Sequence, residues 1–441
     1  MEFEPDFNKT GVNILLINGS PRPGSNTEAL LSRVRSGVEA LEGAAVSEFS
    51  FRAAHFGEPG YEEKPNALAE LVEKWRAADG VVFAAPIYTA AGPGLVYTGL
   101  DLLESALTED LASRRYAKAG GVLIQGSAPY GMAELGAQNI IERFVALHVI
   151  PSARLVGRVV DKRPPEDELL AQAEQFGKQT AENAKLIKLA YGLSPQTGAG
   201  ILVLNAGVDD PQIGETIAAR AAGVLRSAGT VVIEHSFAGK RLEGCHHCIS
   251  YCGSKQTCLY RDDFQEFLAK WLSADGYLTI ASANNLGPPS VVRRALDRLS
   301  EHVFQTALHE HLTRGAAPFA YPRYSRPAAA VVYGRRRYGG QIEALQTLIA
   351  HDVHRGNYPI GGYDRHSPLG AAGFLGQPSQ LGSDQFFTSA IDTIAEDTAN
   401  VANRLKTAKK LAFDTIPASF YASREKMGVI DKEVYRNEFE H

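Results

Sequence analysis

The chain has 441 residues, 44% hydrophobic and 22% charged, with 50 acidic against 45 basic side chains and a net charge of -5. At roughly 150 residues per domain this composition calls for a globular protein of two or three domains and excludes a fibrous or disordered one. Mixed charge argues against a nucleic-acid surface, Arg335-Arg336-Arg337 being a small local exception, and no apolar run approaches the ~20 residues of a membrane-spanning helix.

The acidic start MEFEPDFNKT lacks the basic and apolar regions of a secretion signal, so a cytoplasmic protein is expected. The apolar run Val12 to Ile17 predicts a strand, the polar and glycine-rich stretch after it a loop, and the spacing of Leu30, Leu31, Val34, Val38 and Leu41 an amphipathic helix. Gly80 to Ala84 and Gly121 to Ile124 predict further strands, with helices around Leu68 to Ala78 and Leu135 to Leu147. Strands alternating with helices imply a parallel sheet covered on both faces. A long helix from Glu166 to Leu189 then leads to a linker around Ser194 to Gly198.

The order restarts with a strand at Gly200 to Leu204 and a helix at Ile213 to Leu225. Tyr277 to Ala281, Ala328 to Val332, the helix Gln341 to Ile349 and a long helix at Asp384 to Lys410 complete it. The sequence therefore predicts two tandem doubly wound α/β domains with parallel sheets, 1–192 and 200–441, joined by a linker at 193–199. One large α/β domain with insertions is the alternative.

After the first strand stands Asn18-Gly19-Ser20-Pro21-Arg22-Pro23-Gly24-Ser25-Asn26-Thr27, at the mouth of a helix. Such a loop suits a phosphate: glycines let the backbone approach, hydroxyls and amides donate, Arg22 adds charge, and the helix N-terminus adds a partial positive charge. It is not a dinucleotide fingerprint, since G-x-G-x-x-G is absent. Ala85-Pro86-Ile87-Tyr88 follows the next predicted strand, and Gln125-Gly126-Ser127 follows the one after. In an open α/β sheet these three loops meet on the rim at the carboxyl ends of the strands.

Together they resemble the NAD(P)H-dependent FMN reductase family, whose fold is flavodoxin-like. The resemblance implies FMN phosphate contacts at Ser20, Arg22, Ser25, Asn26 and Thr27. It implies flavin-ring contacts at Pro86, Ile87, Tyr88, Gln125, Gly126 and Ser127. One departure is that the helix after Tyr88 keeps Asp101 without the basic residues usual in the family.

All four cysteines of the chain lie in one short segment, Cys245, Cys248, Cys252 and Cys258, spaced C-x2-C-x3-C-x5-C. In a reducing compartment thiols this dense read as metal ligands rather than disulfides. Both a [4Fe-4S] cluster and structural zinc accept four cysteines. Three close cysteines with a fourth nearby favour the cluster, and zinc stays open.

Asp262-Asp263-Phe264, the basic stretch Arg293 to Arg298 and Gly339-Gly340-Gln341 follow in an order similar to that of the iron-sulfur flavoproteins, a branch of the same reductases. The corresponding phosphate loop, Asn205 to Thr216, carries Asp209 and Asp210 and no arginine, so the second half is expected to have lost its own FMN site. His246 and His247 lie between the cysteines, and His302, His309 and His311 have a spacing that allows one helical face.

The resemblance implies an oxidoreductase passing electrons from NAD(P)H or a protein donor through FMN and a [4Fe-4S] cluster to a small-molecule acceptor, without nucleic acid or membrane, and with a homodimer as a further expectation. Alternatives are a simple NAD(P)H:FMN or quinone reductase stapled by zinc, and a non-enzymatic electron carrier. No catalytic residue is identified by the sequence.

Overall fold

A computed structural model describes residues 7–54, 67–88, 91–107, 116–126, 132–159, 164–284, 286–314, 324–336, 339–361 and 369–411. The described residues fall into two compact units, one of residues up to Pro195 together with the end of the last helix from Thr407, the other of Gln196–Lys406.

The first unit runs β1 (Val12–Asn18), α1 (Asn26–Glu39), β2 (Ala44–Ser50), α2 (Ala67–Ala77), β3 (Gly80–Pro86), α3 (Gly94–Ala106), β4 (Lys118–Gly126), α4 (Met132–Ala146), β5 (Val149–Arg158) and α5 (Asp167–Gly192). Its sheet has the order β2-β1-β3-β4-β5, every pair parallel. This is the doubly wound 2-1-3-4-5 order of flavodoxin-like folds. β3 is buried along its whole length, as a strand covered by helices on both faces must be. β2, at the edge, is mostly half-buried or exposed.

The second unit runs β6 (Gly200–Ala206), α6 (Pro211–Ser227), β7 (Val231–Ser236), α7 (Ile249–Lys255), α8 (Phe264–Ser273), β8 (Gly276–Ser282), α9 (Ser290–Arg314), β9 (Pro327–Gly334), α10 (Gln341–His354), β10 (Tyr358–Ile360), β11 (Ala371–Phe374) and α11 (Gln385–Leu411). Its order, β7-β6-β8-β9-β10 with β11 also on β9, repeats that of the first sheet. The registers match: β1 meets β3 at Ile14 and Gly80, and β6 meets β8 at Ile201 and Gly276. Asn18 therefore corresponds to Asn205, Pro86 to Ser282 and Gln125 to Tyr333.

The fifth strand differs. β5 runs the length of β4 with one register shift between Gly120 and Gly121, which passes over Ser152, whose Oγ donates to the Gly120 carbonyl at 3.2 Å. In the second unit its counterpart is parted into β10, paired as far as Ala329, and β11, paired from Val331. The break lies within two residues of the position of the shift.

Among the described residues no helix is long and apolar enough to cross a membrane.

Candidate functional site

In the first unit β1 delivers the chain to the sheet rim at Asn18, whose Oδ1 accepts from the Ser20 amide at 2.8 Å. The Gly19 amide donates to the Ala84 carbonyl at 2.7 Å. A Cβ on Gly19 would lie 2.9 Å from Val96 and 3.0 Å from Ala85, so only glycine lets the loop pass this close to β3 and α3. Ser20 is buried, and its Oγ accepts from the Arg22 amide at 3.3 Å. Ser25 caps α1, accepting from the Glu28 amide at 3.3 Å. Asn26 opens the helix, the Thr27 side chain is fully buried, and Arg22 is exposed.

The expected ring-side residues join this loop through β4. The Gln125 carbonyl accepts from the Ile87 amide at 2.8 Å, and its side chain donates to Thr27 Oγ1 at 3.4 Å. Pro86 ends β3, and Tyr88 is 47% exposed, its amide held by the Ala91 carbonyl at 3.1 Å. Gly126 is buried against Ile87, and Ser127 lies outside the described residues. Asp101 does find a basic partner, Arg143 of α4 at 2.8 Å.

Sequence reasoning missed Glu28. Its carboxylate accepts from the Gly24 amide at 2.7 Å, from Asn18 Nδ2 at 3.4 Å and from Arg52 Nη1 at 2.9 Å. Nothing in the local pattern signals Arg52, because it arrives from the far end of β2.

The second unit starts its loop in the same way, with Asn205 Oδ1 accepting from the Gly207 amide at 3.0 Å. Residues 206–209 then stand where the first unit has 19–24, so the loop is two residues shorter. Asp210 is itself the helix cap, accepting from the Ile213 amide at 3.4 Å and pairing with Arg335 at 3.0 Å. Asp209 accepts from Ser282 Oγ at 3.1 Å and Asn284 Nδ2 at 3.3 Å. The Tyr333 hydroxyl donates to the Asp210 carbonyl at 3.1 Å. Two carboxylates thus take donors and positive potential that an anion would need. Arg337 lies outside the described residues.

The cysteine segment enters after β7 and is closed at its two ends. The Arg241 amide donates to Asp263 at 2.7 Å and the Glu243 amide to Asp262 at 2.8 Å. All four cysteines are free thiols, Cys252 buried and the others half-buried. Burial, then the surrounding thiols, pushes Cys252 up to about 12, and burial raises Cys245 above its ordinary value. Among the described residues no three His, Cys, Asp or Glu side chains close around one point as for a single metal ion.

One face of α9 underlies the segment. Arg298, 2% exposed, donates to Cys258 Sγ at 3.0 Å, to the Tyr260 carbonyl at 3.3 Å and to the Glu243 carbonyl at 3.3 Å. It pairs with buried Asp262 at 2.5 Å and lies 4.2 Å over the Phe264 ring. Burial opposes the Arg298 charge, but Asp262 and Cys258 outweigh it and raise its pKa; burial likewise disfavours the Asp262 carboxylate, yet Arg298 and two backbone amides hold its pKa down. The Asp-Asp-Phe motif thus serves to seat Arg298.

His302 Nδ1 is 3.6 Å from Cys252 Sγ, and burial lowers its pKa to about 4. A Cβ on Gly253 would meet the Gln305 carbonyl at 3.0 Å and His309 at 3.3 Å, so glycine lets α7 lie against α9. His246 and His247 are exposed, His246 stacking on Tyr260 at 4.5 Å; the His311 side chain lies outside the described residues. The Gly-Gly-Gln loop is closed by Gln341, which accepts from the Gly339 amide at 2.8 Å and donates to the Arg336 carbonyl at 2.7 Å.

The sheet order and the loop at its switch point define an open α/β protein of the mononucleotide-binding class. The chain matches the NADPH-dependent FMN reductase family twice, over residues 12–158 and 199–362, one stretch for each sheet. It belongs to that family as a tandem duplication and is an FMN-dependent oxidoreductase.

The chain is 24% identical over 174 residues to an iron-sulfur flavoprotein of Archaeoglobus fulgidus, covering 40% of this chain and 76% of that one. It is 26% identical over 196 residues to an iron-sulfur flavoprotein of Methanocaldococcus jannaschii, covering 40% and 100%. A flavodoxin, WrbA-like protein from Agrobacterium tumefaciens aligns in structure over 40% of this chain and 98% of its own, with 15% identity and a TM-score of 0.31.

Proposed function

We propose that the two units divide the work of an electron-transfer enzyme: the first binds FMN, the second a [4Fe-4S] cluster, and electrons pass from NAD(P)H or a protein donor to a small-molecule acceptor. The observation that carries this reading is the placement of the thiols. Four cysteines, with an arginine donating to one of them, lie in the unit whose phosphate loop is filled by its own carboxylates.

Ser20, Arg22, Ser25, Asn26 and Thr27 hold the phosphate at the N-terminus of α1, where amides and the helix dipole favour an anion. Pro86, Ile87, Tyr88, Gln125 and Gly126, with Ser127, border the ring, and exposed Tyr88 can cover it. The donor set of Cys245, Cys248, Cys252 and Cys258 fits a cluster in number and chemistry. Arg298 fixes the end of the segment at Cys258 and offsets thiolate charge there. When bound, the flavin supplies exchange of one or two electrons and the cluster exchange of one. The names of the archaeal relatives support the cluster. A reducing cytoplasm suits unbridged thiols.

The test is an anaerobic visible spectrum with iron, sulfide, zinc and FMN quantified in the same sample. About four irons per chain, with broad absorbance near ~400 nm, are expected for four-cysteine ligation. Stoichiometric zinc without sulfide would overturn the cluster, and absence of FMN would overturn the flavin site.

A further inference from the structure

A carboxylate stands at the edge of the first phosphate loop. Glu28 is in the first turn of α1, and its Oε2 already accepts from the Gly24 amide, one of the loop donors, at 2.7 Å. Its Oε1 accepts from Arg52 at 2.9 Å and from Asn18 Nδ2 at 3.4 Å. A carboxylate here stands a few ångströms from where a phosphate dianion would lie, and like charges at that range oppose binding. Beside Glu28 a cavity of about 600 Å³ opens, lined by Asn18, Glu28 and Arg52 and by Arg35, Glu48 and Glu70 among others, the last two carboxylates paired with Arg35 and Lys74. The Glu28 and Arg52 side chains are 33% and 38% exposed, so neither is locked in place by packing.

We propose that Glu28 is a built-in competitor for the phosphate of FMN and Arg52 its counter-charge, so that the pair sets how tightly, and how selectively over unphosphorylated flavin, the first unit holds its cofactor. This rests on the reading that the FMN phosphate binds at Ser20 to Thr27. When the phosphate arrives, Glu28 releases the Gly24 amide and Asn18 and withdraws with Arg52 toward the cavity. The amide donor passes from carboxylate to phosphate, and the carboxylate keeps a cation beside it. Arg52 therefore favours binding without touching the flavin: it lowers the cost of keeping a second anion near the phosphate.

The charge arrangement predicts opposite signs for two substitutions, which a merely structural role for either residue would not produce. Glu28→Gln keeps an acceptor for Gly24 and removes the charge; Arg52→Gln leaves Glu28 without its cation. Dissociation constants for FMN and riboflavin are measured by flavin fluorescence quenching on the full chain stripped of flavin, with melting temperatures recorded for every variant.

Glu28→Gln is expected to bind FMN about ten-fold more tightly with riboflavin unchanged, the size expected for one like charge removed at close range. Arg52→Gln is expected to weaken FMN, again with riboflavin unchanged, and the double variant to return near the wild-type value. Glu28→Gln that leaves FMN affinity unchanged or weaker, or that shifts FMN and riboflavin alike, overturns the competitor while the flavin site stands. Wild-type protein that binds neither flavin overturns the site and the proposal together.

Discussion

In both units the first strand ends on an asparagine whose Oδ1 accepts the amide two residues on, Ser20 in one and Gly207 in the other. In both, the fourth strand sends a side chain across to the loop: Gln125 to Thr27, and Tyr333 to the Asp210 carbonyl. From there the two diverge. The first loop caps its helix with the neutral Ser25 and keeps its carboxylate a turn further on, paired with Arg52. The second is shorter, caps its helix with Asp210 and ties Asp209 to Ser282 and Asn284. An acidic cap stabilises a helix by about 1 kcal/mol, yet it occupies the N-terminus that an anion would otherwise use. The second loop therefore commits its helix N-terminus and both carboxylates to local contacts, while the first caps its helix with a neutral hydroxyl.

The comparison breaks most visibly if flavin content does not follow it. Gly19→Val puts side-chain atoms into Val96 and Ala85, and flavin released by denaturation should fall from a single FMN per chain to none, whereas Asp209→Ala should leave it unchanged. Two flavins per wild-type chain would refute the contrast.

Next in size is Arg298→Met, which strands the buried Asp262 carboxylate; denaturant unfolding should lose about 3–5 kcal/mol, the cost of breaking a buried ion pair. Pairing it with Asp262→Leu should recover most of that loss, and a single variant as stable as wild type would show the pair to be ornamental.

Thr27→Val removes one hydroxyl from the phosphate loop and its bond from Gln125. FMN should bind with about 1 kcal/mol less free energy, near five-fold by titration.

The smallest effects concern the caps. Ser25→Ala and Asp210→Ala should each cost about 1 kcal/mol in stability, but only Ser25→Ala should also weaken FMN. Equal loss of FMN in both would mean the second loop contributes to the site after all.

The strands legible in the sequence, β1, β3, β4, β6, β8 and β9, are interior to their sheets, where helices on both faces demand continuous apolar runs. β2 and β7 are edges with exposed positions such as Val231, and their mixed pattern hides them. β5 carries Pro151 beside its register shift, and β10 and β11 are too short to show any period.

The same logic divides the sites. Ser20 to Thr27 and the four cysteines are contiguous, so residue type and spacing announce them. Arg52 meets Glu28 only because β2 returns beside β1. Arg298 meets Cys258 across 40 positions only because α9 underlies the segment, with Gly253 permitting the approach of α7. Tertiary packing supplies these partners, and no local pattern encodes them.

The shift that passes over Ser152 in β5 has its counterpart in the interval between β10 and β11. A residue that the register passes over is a seam: chain can be inserted there while the register on either side stays fixed. The second unit is parted near that position and keeps the order of its sheet. The first has the same shift without a break, so a short insertion beside Ser152 should be tolerated better than one inside β3, making the outer strand a place where this duplicated fold can acquire new loops away from the rim of either sheet.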